Sequence, residues 1–328
     1  MTADSREDAR WLAAAASLAA RARPISRPNP GVGAIIVTQG KVVARGWTRA
    51  TGRPHAEAVA LDAAGNAARG GTLYVTLEPC AHESPRGPAC ADLVSASGLS
   101  RVVIGCMDPD PRTAGLGLER IRAAGIAADH LPSPACEESL SGYLVSKRLW
   151  RPEVTLKLAM SLDGCLALQS GESQWITGAQ ARAHTHAMRA RADAILVGGG
   201  TLRADAPRLD VRLPGLERRS PERWVLTGGK APAGWYALPS PEAIAGMDGV
   251  QYLFVEGGAG AASSFLRAGL VDRLLIYRAP ILVGGQPAVR DFGLASLASA
   301  HGQWRITERR QLGSDTLEVY SRIPCSQE

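Results

Sequence analysis

His55 and Glu57, in the stretch PHAEAVAL, sit two positions apart at the expected start of a helix, and Cys80 and Cys90 follow in TLEPCAHESPRGPAC. Cys80 falls just after an expected strand and Cys90 near the start of the next helix. A catalytic zinc takes three nitrogen or sulfur ligands from the protein and keeps a fourth position for water, so one histidine and two cysteines satisfy the count. Two thiolates neutralise the metal's charge, and a nearby helix N-terminus favours the thiolate form. Zinc held this way brings the pKa of water toward neutrality and yields a nucleophile. Glu57 is spaced wrongly to be a fourth ligand beside His55 but well placed to hold that water's proton and deliver it to a leaving amine. Singly, each of the four residues reads as structural: two polar groups on a solvated helix, two cysteines as small buried apolar groups. Their joint order at strand and helix ends favours the metal. Cys106 is a possible substitute ligand, although its strand-end position suits a core residue better.

Apolar periodicity supplies the elements that must position these groups. Strands over 33–37 and 41–46 read as a hairpin around Gln39-Gly40. A helix over 55–68, a strand over 71–77, a helix over 89–96, a strand over 101–106, a helix over 116–124 and an edge strand over 125–131 follow. That alternation predicts a three-layer α/β domain with a mixed sheet. A helix over 134–147 leads to Pro152, which marks a boundary between a first domain, 1–150, and a second, 151–328. The second half has strands over 154–161, 192–199, 222–227, 250–258 and 271–279, helices over 179–191 and 261–268, and two closing strands around 303–310 and 316–322. PGLERRSPE and GGKAPAGWYALPSPEA read as long loops. In REDARWLAAAASLAARARP, Trp11, Leu12 and Leu18 recur at helical spacing, which predicts a packed first helix rather than a targeting or membrane segment.

The chain has 328 residues, more than one domain usually holds, and 45% hydrophobic with 21% charged residues exclude a disordered or fibrous class. Its net charge is +6, yet the arginines are scattered among acids and form no basic run. Such a balance suits anionic small molecules such as phosphate esters and gives no footprint for nucleic acid. The cysteines Cys80, Cys90, Cys106, Cys136, Cys165 and Cys325 lack disulfide-rich density and follow no signal peptide, so free thiols in a reducing cytoplasm are expected.

The His-x-Glu and Pro-Cys…Cys arrangement resembles the zinc-deaminase signature, with a nine-residue loop between the cysteines in place of the usual short spacing. Together with RPNPGVGAIIV upstream and DPDP downstream, it resembles the bifunctional deaminase–reductases of riboflavin biosynthesis, over nearly the whole chain. The resemblance implies a cytidine-deaminase-like three-layer α/β/α domain followed by a dihydrofolate-reductase-like α/β domain. It implies that His55, Cys80 and Cys90 hold one zinc ion, with Glu57 as proton donor. Asn29 and His82 would contact the pyrimidine of a phosphorylated diaminopyrimidine substrate, with Arg86 near the phosphate. Three departures touch substrate contacts: the loop between the cysteines is one residue longer, Thr48 stands where many members carry histidine, and Asp110 replaces a common asparagine.

LKLAMSLDG, GESQWITG, GGGTLRADAPRLDVR and VEGGAGAASSFL are similar to the family's reductase domain, which uses NADPH. Independently, a strand entering Gly257-Gly258-Ala259-Gly260 and then a helix could cradle a cofactor phosphate on backbone N–H groups. No G-x-G-x-x-G fingerprint supports a Rossmann domain. The resemblance implies cofactor contacts from Ala159, Trp175, Thr201 and Asp205, and from Gly258, Ala259, Gly260, Ala261, Ala262, Ser263 and Ser264. It implies substrate contacts from Ser173, Arg189, Leu209, Arg212 and Glu256; two arginines near a phosphate fit the guanidinium fork. Lys157, on an apolar strand, is a candidate for polarising the C1′ oxygen or imine during reduction, the alternative being an edge-strand lysine reaching solvent. Trp175 reads equally as core, and His184 with His186 point in different directions, so a second metal site is not expected.

Two other classes compete with this enzyme: a deaminase acting on nucleic acid, and a structural zinc protein. Aromatics at 5% with no basic run weigh against the first, and a three-ligand set beside Glu57 weighs against the second. An edge strand and apolar surface on the second half make a homodimer or higher homo-oligomer the expected assembly, with no nucleic-acid or membrane partner.

Overall fold

A computed structural model describes residues 3–82 and 84–323. The chain divides into two compact units that meet in sequence between Trp150 and Arg151. Cys325 lies outside the described residues.

The first unit runs α1 (Ala3–Ala19), β1 (Gly33–Thr38), β2 (Lys41–Trp47), α2 (Ala56–Ala64), β3 (Thr72–Val75), α3 (Cys90–Ser95), β4 (Arg101–Ile104), α4 (Leu116–Ala123), β5 (Ala127–His130), α5 (Pro134–Ser139) and α6 (Ser141–Leu149). Its sheet has the order β2-β1-β3-β4-β5, antiparallel across β2-β1-β3 and parallel across β3-β4-β5. The hairpin turns at Gln39 and Gly40, both at positive φ, as a two-residue turn between twisted strands requires. Helices cover both faces, and two glycines show how closely. A Cβ on Gly33 would strike the Ala15 carbonyl of α1, and one on Gly46 would strike the Ala56 carbonyl of α2. Gly46 pairs across the hairpin with Ala34, the neighbour of Gly33, so the two glycines point to opposite faces and α1 and α2 lie on opposite sides of the sheet. Leu12, Ile35, Ile36, Leu73, Ile104 and Ile121 fill the core between the layers. The helix expected over 134–147 is two helices instead: Leu140, buried at 1% exposure, breaks it with φ −107°.

The second unit runs β6 (Glu153–Met160), β7 (Cys165–Ala167), α7 (Ala179–Arg189), β8 (Ala194–Gly198), α8 (Gly199–Asp205), β9 (Glu222–Leu226), β10 (Tyr236–Leu238), β11 (Tyr252–Val255), α9 (Ala259–Arg267), β12 (Arg273–Arg278), β13 (Gln286–Pro287), β14 (Trp304–Leu312) and β15 (Asp315–Arg322). Its large sheet has the order β10-β9-β8-β11-β6-β12-β15-β14, parallel except for the last two pairings, and β7 pairs with β13 apart from it. β10 lies within a segment expected to be loop; three residues held by β9 are too few for a periodic signal. On β6, Val154, Leu156, Leu158 and Met160 join one core with Ala262 and Phe265 of α9, and Ala159 joins another with Ala181 of α7. Strand alternation therefore puts Lys157 on the α7 face. β6 is an interior strand, flanked by β11 and β12, so the edge-strand reading of Lys157 is wrong.

Candidate active sites

In the first unit the chemistry gathers where helices begin. His55 takes the N-cap position of α2 with extended backbone, and Glu57 follows in its first turn, only 3% exposed. Cys90 opens α3, and its backbone N–H donates to Cys80 Sγ at 3.3 Å. His55 Nδ1 lies 3.6 Å from Cys80 Sγ and 3.3 Å from Cys90 Sγ. Tetrahedral zinc bonded to nitrogen and sulfur at about 2.0 and 2.3 Å would set such donors about 3.6 Å apart, so the set fits the ion. Among the described residues this is the one group of three or more such side chains that could hold a metal. Asn29 Nδ2 lies 3.2 Å from His55 Nε2, on the ring edge away from the sulfurs. Such an outer contact orients a ligating imidazole.

The electrostatics distinguish the members. A hydrogen bond from the Cys90 thiol pulls Cys80 well below the ordinary thiol range, against burial and with help from His55. That bond and burial hold the proton on Cys90, so a helix start does not by itself make Cys90 the acidic thiol. Burial pushes the Glu57 carboxyl up to about 7, although His55 opposes it, and Glu57 Oε2 is buried without a hydrogen-bond partner. Cys106 belongs to the core.

Around these groups lies a cavity of 330 Å³ whose walls include Asn29, Thr48, His82 and Arg86. His82 Nδ1 is 3.4 Å from Thr113 Oγ1, Arg86 donates to the Thr51 carbonyl and Asn29 Oδ1, and Thr48 Oγ1 accepts the Val32 N–H. The cavity also contains groups that the sequence did not single out: Arg53, Glu78, Asp108, Arg112, Tyr143 and Lys147. Buried Glu78 accepts the N–H groups of Asp108, Gly115 and Leu118, which fixes the wall segment and caps α4. Its place two residues before Cys80 was the only sequence signal for it.

In the second unit, Arg189 at the end of α7 grips Glu256, just beyond β11, with Nε to Oε1 at 2.5 Å and Nη2 to Oε2 at 2.9 Å. Lys157 Nζ stands 4.0 Å from Glu256 Oε2. Burial lowers the Lys157 pKa, with Glu256 opposing and Arg189 adding to it. Burial would raise Glu256, but Arg189 and Lys157 together hold it below the ordinary carboxylate range. Arg189 is thus largely buried and paired. Its Nη1 also donates to the Asp210 carbonyl, and the Arg212 N–H donates to His186 Nδ1. These bonds bring the segment containing Leu209 and Arg212 to the cluster, and Leu209, buried at 5%, sits there with φ 55°. Arg212 is half-exposed near Asp210. His184 instead meets the Tyr277 hydroxyl at 2.7 Å, so the two histidines serve different partners.

Thr201 and Asp205 lie on α8, and Thr201 Oγ1 accepts the Gly258 N–H, joining the starts of α8 and α9. Within the 258–264 run, Gly260 is exposed, Ala259 and Ala261 are buried, and Ala262 packs into the core. Ser263 bonds the Arg290 backbone, and Ser264 bonds the Gly260 carbonyl. Ala159 lies half-buried on β6, and Ser173 is in the loop before α7. Trp175 is 65% exposed with the Arg182 guanidinium 4.7 Å from its ring, which excludes the core reading.

An α/β unit with a deaminase-type set of zinc ligands is joined in one chain to a second α/β unit with a buried cation–carboxylate cluster, the arrangement of a two-unit enzyme whose first half is deaminase-like. The profile of the cytidine and deoxycytidylate deaminase zinc-binding region matches residues 5–106, and that of the RibD C-terminal domain matches residues 152–231 and 243–317. The chain belongs to the RibD family of riboflavin biosynthesis proteins, and is a bifunctional deaminase and reductase using zinc and NADPH. It is 36% identical to the RibD protein of Escherichia coli K12 over 94% of this chain and 98% of that one. The RibD protein of Aquifex aeolicus is 34% identical, with 96% and 98% covered. A RibD structure from Acinetobacter baumannii superposes with a TM-score of 0.85 at 30% identity, covering 98% of this chain and all of that one. So does a diaminohydroxyphosphoribosylaminopyrimidine deaminase/5-amino-6-(5-phosphoribosylamino)uracil reductase from Thermotoga maritima, with a TM-score of 0.85 at 28% identity over 98% of this chain and all of that one.

Proposed function

We propose that the first unit deaminates 2,5-diamino-6-ribosylamino-4(3H)-pyrimidinone 5′-phosphate, and that the second reduces the ribosyl group of the aminouracil product to ribityl. What carries this reading is the convergence of His55, Cys80 and Cys90 beside a buried Glu57 carboxylate with an unpartnered oxygen. Zinc in that donor set supplies Lewis acidity that brings water's pKa toward neutrality. Glu57 takes a proton from the attacking water and passes it to the departing amine, which requires a carboxyl that exists in both states. Asn29 and His82 hold the pyrimidine edge, and Arg86 faces the phosphate.

For the second step NADPH supplies a hydride. Lys157, whose ammonium is weakened by burial, polarises the C1′ oxygen or imine and yields a proton. Arg189 and Arg212 hold the substrate phosphate, Glu256 keeps Arg189 in place, and Ser173 and Leu209 complete the substrate wall. Ala159, Trp175, Thr201 and Asp205 flank the cofactor. The N–H groups of Ala259, Gly260 and Ala261, in the first turn of α9, lack partners within the helix and suit a cofactor phosphate; the rest of the run from Gly258 to Ser264 is given that role by the family resemblance, the Ala262 N–H being bonded to the Gly258 carbonyl.

The domains assigned to these steps are 1–150 and 151–328. Exposed Leu282, Leu297 and Ile306, with β14 as a sheet edge, support assembly of the second unit into a homodimer or larger oligomer. Five unpaired cysteines support a cytoplasmic setting, and among the described residues no helix is long and apolar enough to cross a membrane. The test is to give zinc-loaded protein the diaminopyrimidine phosphate and follow ammonia and NADPH together. One ammonia released and one NADPH consumed per substrate is expected. Zinc-loaded protein that releases no ammonia refutes the deaminase assignment.

A further inference from the structure

We propose that Arg112 and Lys147, gathered by the Asp110 carboxylate, form a second cationic wall of the first unit's cavity and bind the phosphate end of its substrate. The proposal rests on the deaminase reading and adds to it the residues that select an anionic ligand.

Asp110 has a side chain only 7% exposed, and its two oxygens are fully engaged. Arg112 reaches it through Nε at 2.9 Å, Nη2 at 2.7 Å and its backbone N–H at 3.1 Å, and Lys147 Nζ through Oδ2 at 3.0 Å. The cations are far from saturated. A guanidinium carries five N–H donors and an ammonium three, so Asp110 occupies two of the first and one of the second. The side chains of Arg112 and Lys147 remain 63% and 34% exposed. Two cations against the Asp110 carboxylate leave one positive charge in excess within this group, burial pushing the neighbouring Asp108 carboxyl toward its neutral form, and all three residues line the cavity that holds His55, Glu57 and Cys80.

A structural brace would not need this arrangement, because Arg112 alone satisfies Asp110 bidentately. Lys147 arrives from α6, thirty-five positions on in the sequence, and adds charge rather than a missing bond. Its ammonium lies 5.8 Å from the Tyr143 ring, whose hydroxyl is anchored to Asp108 at 2.7 Å, so the cation is held in place before any ligand arrives. The departure at Asp110 also gains a reason. A carboxylate where the family commonly carries a neutral amide would repel a phosphate dianion, and the two cations more than offset it. Arg86 is tied to different segments, through the Thr51 carbonyl and Asn29, so Arg112 and Lys147 present positive charge from another wall of the same cavity to the phosphate that Arg86 faces.

The experiment compares wild type, Arg112→Gln and Lys147→Gln in ammonia release from the phosphorylated diaminopyrimidine, with inorganic phosphate as competitive inhibitor. Each variant is expected to raise KM and weaken phosphate inhibition by about tenfold, as loss of a charge-assisted hydrogen bond does, while kcat stays close to wild type. The wild-type advantage shrinks as salt rises. Unchanged KM and phosphate inhibition overturn the proposal. So does a fall in kcat that tracks lost zinc and a lower melting temperature, the outcome of a brace. If wild type releases no ammonia at all, the deaminase reading fails on its own, and calorimetric titration of phosphate still decides the subsite: equal affinity in wild type and both variants overturns it.

Discussion

Replacing Glu256 by Gln tests the second unit's cluster most directly. Arg189, Lys157 and Glu256 together carry one net positive charge, and Glu256→Gln leaves two cations facing each other in a buried site. Removing one partner of a buried ion pair costs about 3–5 kcal/mol. Burial already disfavours the Lys157 ammonium, and loss of the carboxylate disfavours it further, so proton loss from Lys157 offsets part of the cost, whereas Arg189 has no such route. The expectation is therefore the lower end, about 3 kcal/mol, which at about 2–4 °C per kcal/mol for a unit of this size lowers Tm by about 6–12 °C. The pH dependence fixes the cause. Glu256 is held below its ordinary pKa, so its contribution is present above the unfolded carboxylate's pKa and is lost as acid protonates it in the fold. Calorimetry should thus show a gap between wild type and Glu256→Gln that is full near pH 7 and closes below about pH 4. Consumption of NADPH should fall in parallel with loss of the cluster. A variant melting within about 2 °C of wild type at neutral pH, with reductase turnover intact, would refute the claim that these charges depend on one another.

In the first unit, Glu57→Gln preserves volume and leaves the ligands untouched, so the protein should keep its zinc by elemental analysis while ammonia release drops about 10²–10⁴-fold. Full turnover in that variant would remove Glu57 from the mechanism. Cys90→Ser takes away one of three ligands and should abolish zinc binding and ammonia release while the second unit still oxidises NADPH with supplied aminouracil product; equal loss of both activities would show that the zinc site supports more than deamination.

Much of the first unit was legible in the sequence because its chemistry sits at element ends. His55 stands at the N-cap position of α2, Cys90 opens α3, and the Gln39-Gly40 turn announces the hairpin. Periodicity could not foresee the break at Leu140, since leucine is a strong helix former and Gly142, two residues on, lies inside α6. It could not find α8 behind two leading glycines, nor β10, whose three residues exist as a strand only because β9 lies beside them. Lys157 shows a different limit: an isolated lysine on an apolar strand is ambiguous until strand order places β6 inside the sheet. The Asp110, Arg112 and Lys147 group was also hidden, because tertiary structure brings the loop between β4 and α4 against α6.

The two units use buried glutamates in opposite ways, and their surroundings explain the difference. Glu57 has an oxygen without a partner, and burial dominates, raising its carboxyl to about 7. Glu256 has a side chain nearly as buried, but a bidentate arginine and a nearby lysine overcome the desolvation penalty and keep it ionised. A carboxyl poised between its two states suits a group that must take a proton and give it back, and one that stays ionised at neutral pH suits a group that must hold cations in place. In the proposed mechanism Lys157 complements this arrangement: burial against the carboxylate eases the loss of its proton, while Arg189, which cannot lose its proton, supplies the fixed charge. The assignment of shuttle and anchor therefore follows from partner count around each carboxyl rather than from residue type.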